Sequence, residues 1–416
     1  MLDEHFFRRE FPRLVAALTR IFGVHNLALA EDVVQDAFVS ALEVWKVRGI
    51  PDNPSAWLMA AARNRAVDHV RRERTAVTFA PLLVSEGRTD ALMDEAFAEH
   101  TIREEQLRVM FSCCHPRLPD EVQVALILNI LCGFGANEIA AAFLSGRAAI
   151  EKRIQRGKKV LAGSRKLFDL SDRDFAARLA TVQHALYLLF NEGYHGGGEV
   201  VVRSELCREA MRLVSMLRDF PAAATPATYA LAALMHLHAA RLPARIDAAG
   251  DLHPLFEQDR SRWDAGLLAR GLELLELSAS GTELSGYHIE AAIAATHASA
   301  RTVEETDWSA IVALYDRLMA VAPSPVVALS RAIAIGERDG AARGLTELHL
   351  ITDRERFASY PFYAAALGEF ELRLGRHEQA RDHLRSAMAV ARNASERRFL
   401  EQRLKQCERI LAAPQS

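Results

Sequence analysis

Apolar residues recur at intervals of three and four along almost the whole chain, while the strict apolar–polar alternation of a strand is scarce. That spacing lines one face of a helix and leaves little that can pair as sheet. Alanine and leucine dominate and favour the same outcome. The expected fold class is therefore all-α. With 416 residues, half of them apolar and a quarter charged, the chain is long enough for two to four domains, each with its own core. No run approaches 18 consecutive apolar residues, so no membrane span is expected. Met1-Leu2-Asp3-Glu4-His5-Phe6 is acidic and lacks a signal core, which points to the cytoplasm. Five cysteines, an odd number and widely spread, argue against a disulfide framework.

Charge is nearly balanced, with 51 basic and 54 acidic side chains, but it is segregated within the first 169 residues. Arg63 to Arg74 holds five arginines against Asp68 and Glu73, and Arg147 to Lys166 holds eight basic residues against Glu151. Between them, Leu82 to Glu105 holds seven acids and only Arg88 and Arg103. Two basic patches flanking an acidic stretch suit a two-point nucleic-acid binder. Four of the six lysines, Lys152, Lys158, Lys159 and Lys166, fall in the second patch.

Helix punctuation divides the chain. A first helix carries Phe6, Leu14, Leu18 and Ile21, and a second opens at Ala30-Glu31-Asp32 and runs to Trp45. Asp52-Asn53-Pro54-Ser55 is a turn and helix start, with the proline at the first helical position. Residues 76–105 read as an acidic linker. Beyond it, Leu118-Pro119-Asp120-Glu121 starts a helix that stops at Cys132-Gly133, and Glu138 to Phe143 forms a short helix. After the turn Leu144-Ser145-Gly146, Arg147 to Leu161 forms a longer basic helix. This is a helix-turn-helix outline. Arg147, Glu151, Lys152, Gln155 and Lys159 step along one face that suits a major groove, with Arg153, Arg156 and Lys158 beside them. Gly157 inside this helix predicts looser final turns. Residues 170–416 read as Ala/Leu-rich helices joined at Pro and Gly breaks. Leu367-Gly368, Gly375, Ala380, Leu384 and Ala387 have the spacing of a tetratricopeptide repeat, and Ala328 to Leu348 is a weaker preceding copy.

The segment Ala30-Glu31-Asp32-Val33-Val34-Gln35-Asp36-Ala37-Phe38, followed by Trp57-Leu58, Arg63-Asn64-Arg65-Ala66-Val67-Asp68 and Arg71-Arg72, resembles region 2 of bacterial extracytoplasmic-function sigma factors. Leu118-Pro119 through Lys159 is similar to their region 4. The remainder resembles the tetratricopeptide-like extension of one sigma subgroup, through stretches such as Leu188-Leu189-Phe190-Asn191-Glu192-Gly193-Tyr194. The resemblance implies region 2 at 1–75, region 4 at 106–166 and a regulatory helical domain at 170–416. It implies that Asp32, Val34, Gln35, Asp36, Phe38 and Trp45 dock on the β′ clamp helices of core RNA polymerase, and that region 4 approaches the β flap. Arg48, Asn53, Trp57, Arg63, Asn64, Arg71 and Arg72 would contact the single-stranded minus-10 element, where a basic track and a pocket suit melted bases. The basic helix would meet the duplex minus-35 element of promoter DNA. Asp68 is expected to be a structural partner of nearby arginines.

The implied protein is an alternative sigma factor and not an enzyme, with no cofactor and with a protein partner envisaged for the extension. The rival is a helix-turn-helix regulator with a solenoid sensor, acting on duplex DNA without replacing sigma; a helical enzyme using Glu192, Tyr194 and His195 has less support. Cys113-Cys114-His115 lacks a second ligand pair at zinc spacing, so no metal is expected. Gly193-Tyr194-His195-Gly196-Gly197-Gly198 fits no phosphate-loop pattern and reads as a loop, and His236 and His238 read as structural.

Overall fold

Helix caps and breaks organise the computed structural model, which describes residues 4–23, 26–74, 94–142, 145–163, 172–195, 202–247, 251–352, 357–358 and 360–412. The fold is all-α: no strand occurs among the described residues, beyond one isolated bridge between Ile246 and Leu252. None of the described helices is long and apolar enough to cross a membrane. The chain divides into two units, residues 1–188 and 189–416, and the boundary falls inside one helix, Asp172–His195.

The first unit begins with α1 (Glu4–Phe22), α2 (Leu27–Arg48) and α3 (Pro54–Arg74). Their apolar stripes meet in Leu14, Leu18, Val34, Ala37, Leu58 and Ala62, all fully buried. Each leucine contributes about 1.5–3 kcal/mol on burial. The turn before α3 works as its sequence suggests, since Asn53 Oδ1 accepts the Ala56 N–H at 3.0 Å. Next come α4 (Glu99–Cys113) and α5 (Asp120–Leu126), which widens into a π-turn at Ile127–Leu131. Then follow α6 (Ala136–Ala142), α7 (Arg147–Ala162) and α8 (Asp172–His195).

The last part of the expected linker is structured. Thr101, Ile102 and Glu105 of α4 are buried, and Ile102 packs on Ala16 and Ala17 of α1. The acids that made this stretch look like linker answer arginines of α1: Glu99 meets Arg13 at 2.5 Å and Glu105 meets Arg20 at 3.2 Å. Gly157 does not loosen α7, which runs unbroken to Ala162. A Cβ on Gly157 would lie 2.6 Å from Leu126 Cδ1, so the missing side chain is what lets α5 approach α7. The last turn of α8 contains Gly193, Tyr194 and His195, which the sequence assigned to a loop; residues 196–198 lie outside the described residues.

The second unit continues from α8 with α9 (Ser204–Asp219), α10 (Pro226–Ala239) and the single turn α11 (Leu242–Arg245). It proceeds through α12 (Ala265–Ser278), α13 (Gly286–Ser299), α14 (Trp308–Val321) and α15 (Pro325–Asp339). It ends with α16 (Ala341–Leu350), α17 (Pro361–Arg373), α18 (His377–Ala389) and α19 (Ala394–Ala412). Local chemistry starts these helices. Asp264, Asp307 and Ser324 accept N–H groups at 2.9, 2.9 and 3.1 Å in the first turns of α12, α14 and α15. Gly340 (φ 96°) and Gly375 (φ 74°) turn the chain between α15 and α16 and between α17 and α18. Small residues then allow close crossing: a Cβ on Gly368 would sit 2.9 Å from Leu384 Cγ, and the Phe370 ring fills the space left by Gly336 and Gly344.

Candidate nucleic-acid interface

Helix α7 has two faces set by its 3.6-residue period. Ile150, Ile154, Gly157 and Leu161 are buried, while Arg147, Lys152, Gln155, Arg156 and Lys159 are exposed. Lys152, Arg156 and Lys159 have no carboxylate partner among the described residues, so their charge is available to a polyanion. Arg147 shares the outer face with Glu151 as an i,i+4 pair at 2.6 Å. Two residues of the predicted set face elsewhere. Lys158 turns inward, its Nζ 2.7 Å from both carboxylate oxygens of Glu31 on α2. Arg153 binds Glu121 at 2.6 Å and Ser145 Oγ at 3.3 Å, which secures the turn before α7. Both are corrected from groove contacts to supports of the helix in this arrangement.

The Lys158–Glu31 pair bridges the two parts of the first unit that the sequence separated. Glu31 is 9% exposed, and burial raises its carboxyl above the ordinary range, against the pull of Lys158. Further links run from α1: Arg8 pairs with Glu138 of α6, and its guanidinium lies 4.6 Å from the Phe134 ring. Gly133 (φ 69°) brings the chain so close that a Cβ would lie 2.9 Å from the Arg8 carbonyl oxygen. Buried Glu10 accepts from Arg13 and Ser55, each at 3.0 Å, and so ties α1 to the start of α3.

On α2, Asp32, Gln35 and Asp36 are exposed, Phe38 is half-buried, and Val34 and Trp45 are not surface residues. Val34 is 0% exposed, and Trp45 packs on Phe7 at 6.1 Å and on Trp57 at 5.3 Å. Their phase on the helix points them into the core, which corrects their assignment to a docking surface. The outer face holds apolar residues, among them Leu42, which shares the apolar spacing of Ala41 and Trp45 yet is 58% exposed; Val39 is 54% exposed and Val47 84%, with Ile50 at 50% just beyond the helix. The signal was available, since these positions fall between the buried series Ala30, Val33, Ala37, Ala41 and Trp45. An acidic margin of Asp32, Asp36 and Glu43 around Val39 and Leu42 is the composition of a protein-docking patch.

Of the residues assigned to single-stranded DNA, Arg48 and Asn64 are exposed and Trp57 is half-buried. Asn53 is exposed too, but its Oδ1 is committed to capping α3. Arg63 is held by Asp94 at 2.9 Å. Arg65 hydrogen-bonds Ser40 and lies 3.6 Å from Asp36, linking α3 to the acidic edge of α2. Asp68 is exposed. The side chains of Arg71 and Arg72 lie outside the described residues. Cys113 and Cys114 are fully buried, and burial pushes the Cys113 thiol up to about 12, so both are packing groups. No group of three or more metal-ligating side chains occurs among the described residues.

Residues 6–76 match sigma-70 region 2. Residues 178–279 match a family of unknown function, DUF6596. Over 399 residues the chain is 38% identical to an uncharacterized protein of Rhizobium meliloti (strain 1021), covering 94% of this chain and 93% of that one. No solved structure matches the chain.

Proposed function

We propose that this chain, which belongs to the same family as the Rhizobium protein and carries a sigma-70 region 2, is an alternative sigma factor of the extracytoplasmic-function type. It recruits core RNA polymerase to promoters from the cytoplasm and performs no chemistry of its own. The observation that carries the reading is the combination, within the region 2 match, of an exposed apolar patch on α2 with a basic helix beside it. Apolar contacts at Val39 and Leu42 supply the area for docking on the polymerase β′ subunit, and Asp32, Gln35 and Asp36 supply polar register.

Helix α3 then offers Arg63 and Asn64, with Trp57 and Arg48 nearby, to the melted minus-10 strand. Arg63, half-buried beside the exposed Asp94, exchanges that carboxylate for phosphate, a swap between two anions. Helix α7, the second helix of a helix-turn-helix, presents Lys152, Gln155, Arg156 and Lys159 to the minus-35 duplex. Lysine and arginine give affinity there, and Gln155 suits adenine. The second unit, with helix pairs of tetratricopeptide-like character, regulates or supports this activity.

Co-elution of the full chain with core polymerase tests the reading. Val39→Asp with Leu42→Asp places two charges in the docking patch and should abolish co-elution while leaving helical content unchanged. Binding to duplex promoter DNA with no affinity for core polymerase would instead establish the regulator that acts without replacing sigma.

A further inference from the structure

The second unit buries positive charge that its own acids do not answer. Arg241 is 7% exposed, and its guanidinium lies 5.6 Å from the Trp263 ring. It has neither a hydrogen-bond acceptor nor a carboxylate partner among the described residues, and its Nε is sealed from water. One turn further on, Arg245 covers the ring of Tyr194 at 4.3 Å, and its Nη2 stands 3.4 Å from His195 Nδ1. It too lacks a carboxylate partner among the described residues. The Tyr194 hydroxyl and the Nδ1 atoms of His238 and His297 are buried around them without hydrogen-bond partners. Burial first, and then the nearby arginines, hold His238 and His297 neutral, His297 down to about 3. An unpaired buried guanidinium is expensive, and an incoming anion is the ordinary remedy.

Arg245 and His195 also line a cavity of about 300 Å³. Its walls are largely apolar, with Phe256, Ile333 and Phe370 among them. Two other arginines on its lining are already neutralised. Arg373 meets Glu337 at 2.7 Å and Glu369 at 3.4 Å, and Arg403 pairs with Glu257. Arg245 is thus a cation left for an occupant, with Arg241 behind it adding positive potential. The volume is that of a small-molecule site and excludes a polymer.

We propose that this cavity binds a small organic anion, its carboxylate or phosphate on Arg245 and its aromatic or branched apolar body against Phe256, Ile333 and Phe370. Isothermal titration calorimetry of the full chain with phenyl phosphate, benzoate, benzyl alcohol and benzylamine tests this directly. At least one of the two anions should bind saturably at one site, and the tighter of them distinguishes phosphate from carboxylate as the natural head group. Benzyl alcohol should bind about tenfold more weakly or worse, and benzylamine not at all. Arg245→Gln should weaken anion binding by about tenfold or more. Ile333→Trp, which fills the cavity and keeps Arg245, should abolish it, and so keeps the test open if Arg245→Gln does not fold. Anions that bind no better than benzyl alcohol, or not at all at millimolar concentration, would overturn the proposal, as would folded variants that titrate like the native chain. These readouts need neither polymerase nor promoter, so this proposal and the sigma reading stand or fall separately.

Discussion

Both units pair many of their arginines with acids, and they differ in where the unpaired cations lie. In the first unit, unpaired cations lie exposed, as Lys152, Arg156 and Lys159 do on α7, while others are spent on acids that stitch helices together, as in Arg13–Glu99, Arg20–Glu105 and Lys158–Glu31. In the second, Arg241 and Arg245 are drawn inward and left without carboxylates among the described residues, beside neutral histidines. Exposed unpaired charge suits a long polyanion and is screened by salt. Buried unpaired charge suits one discrete anion held in a fixed place. Both units share two means of cohesion, ion pairs between helices such as Lys158–Glu31 and Arg373–Glu337 and close crossings at glycines such as Gly157 and Gly336.

The second unit's cohesion breaks most visibly at Phe370, which is 2% exposed and occupies the gap between Gly336 and Gly344. Phe370→Ala should cost about 3–5 kcal/mol, seen as loss of the urea transition belonging to the second unit. The polyanion assignment sharpens with Lys152→Ala, Arg156→Ala and Lys159→Ala combined. Stability should change little, within about 0.5 kcal/mol per site, while the dependence of promoter-duplex affinity on log salt becomes shallower by about 2–3. Arg245→Gln should leave that slope unchanged. Lys158→Ala strands Glu31 in a largely buried position, and a cost of about 1–3 kcal/mol should appear in chemical denaturation of the first unit.

The smallest effect concerns Glu105, whose carboxyl is raised above the ordinary value of 4.5 by burial, against Arg108 and Arg20. The folded chain then holds this proton more tightly than the unfolded chain. Its stabilising contribution is full below 4.5 and fades as pH rises through the raised value. Relative to Glu105→Gln, the native chain should therefore gain stability as pH falls from 7 towards 4.5, a trend thermal melts across that window can follow.

The helices were legible because capping and turn chemistry is local. Asp52-Asn53-Pro54-Ser55, Ser324-Pro325 and the glycines at 340 and 375 stand where the structure starts or ends helices. The exposed face of α7 was legible for the same reason, since helical period alone separates Lys152, Gln155 and Lys159 from Ile150 and Ile154. Long-range facts were not. That Lys158 turns inward depends on Glu31, 127 residues away, and that Glu99 and Glu105 belong to a core helix depends on arginines in α1. Gly157 looked like a weakness because its partner, Leu126, lies on another helix. On α2, family resemblance selected Val34 and Trp45, whereas the phase of the buried positions puts Val39 and Leu42 outside. The arginine-lined cavity carried no local signal at all, since His195, Arg245 and Ile333 meet only through the stacking of helices distant in sequence.

Run-off transcription with the purified full chain, bacterial core polymerase and promoter DNA from the chain's own upstream region tests the central claim most directly. The account predicts a discrete transcript that requires the chain and disappears with Val39→Asp and Leu42→Asp. No transcript, together with no affinity of the native chain for core polymerase, would contradict it.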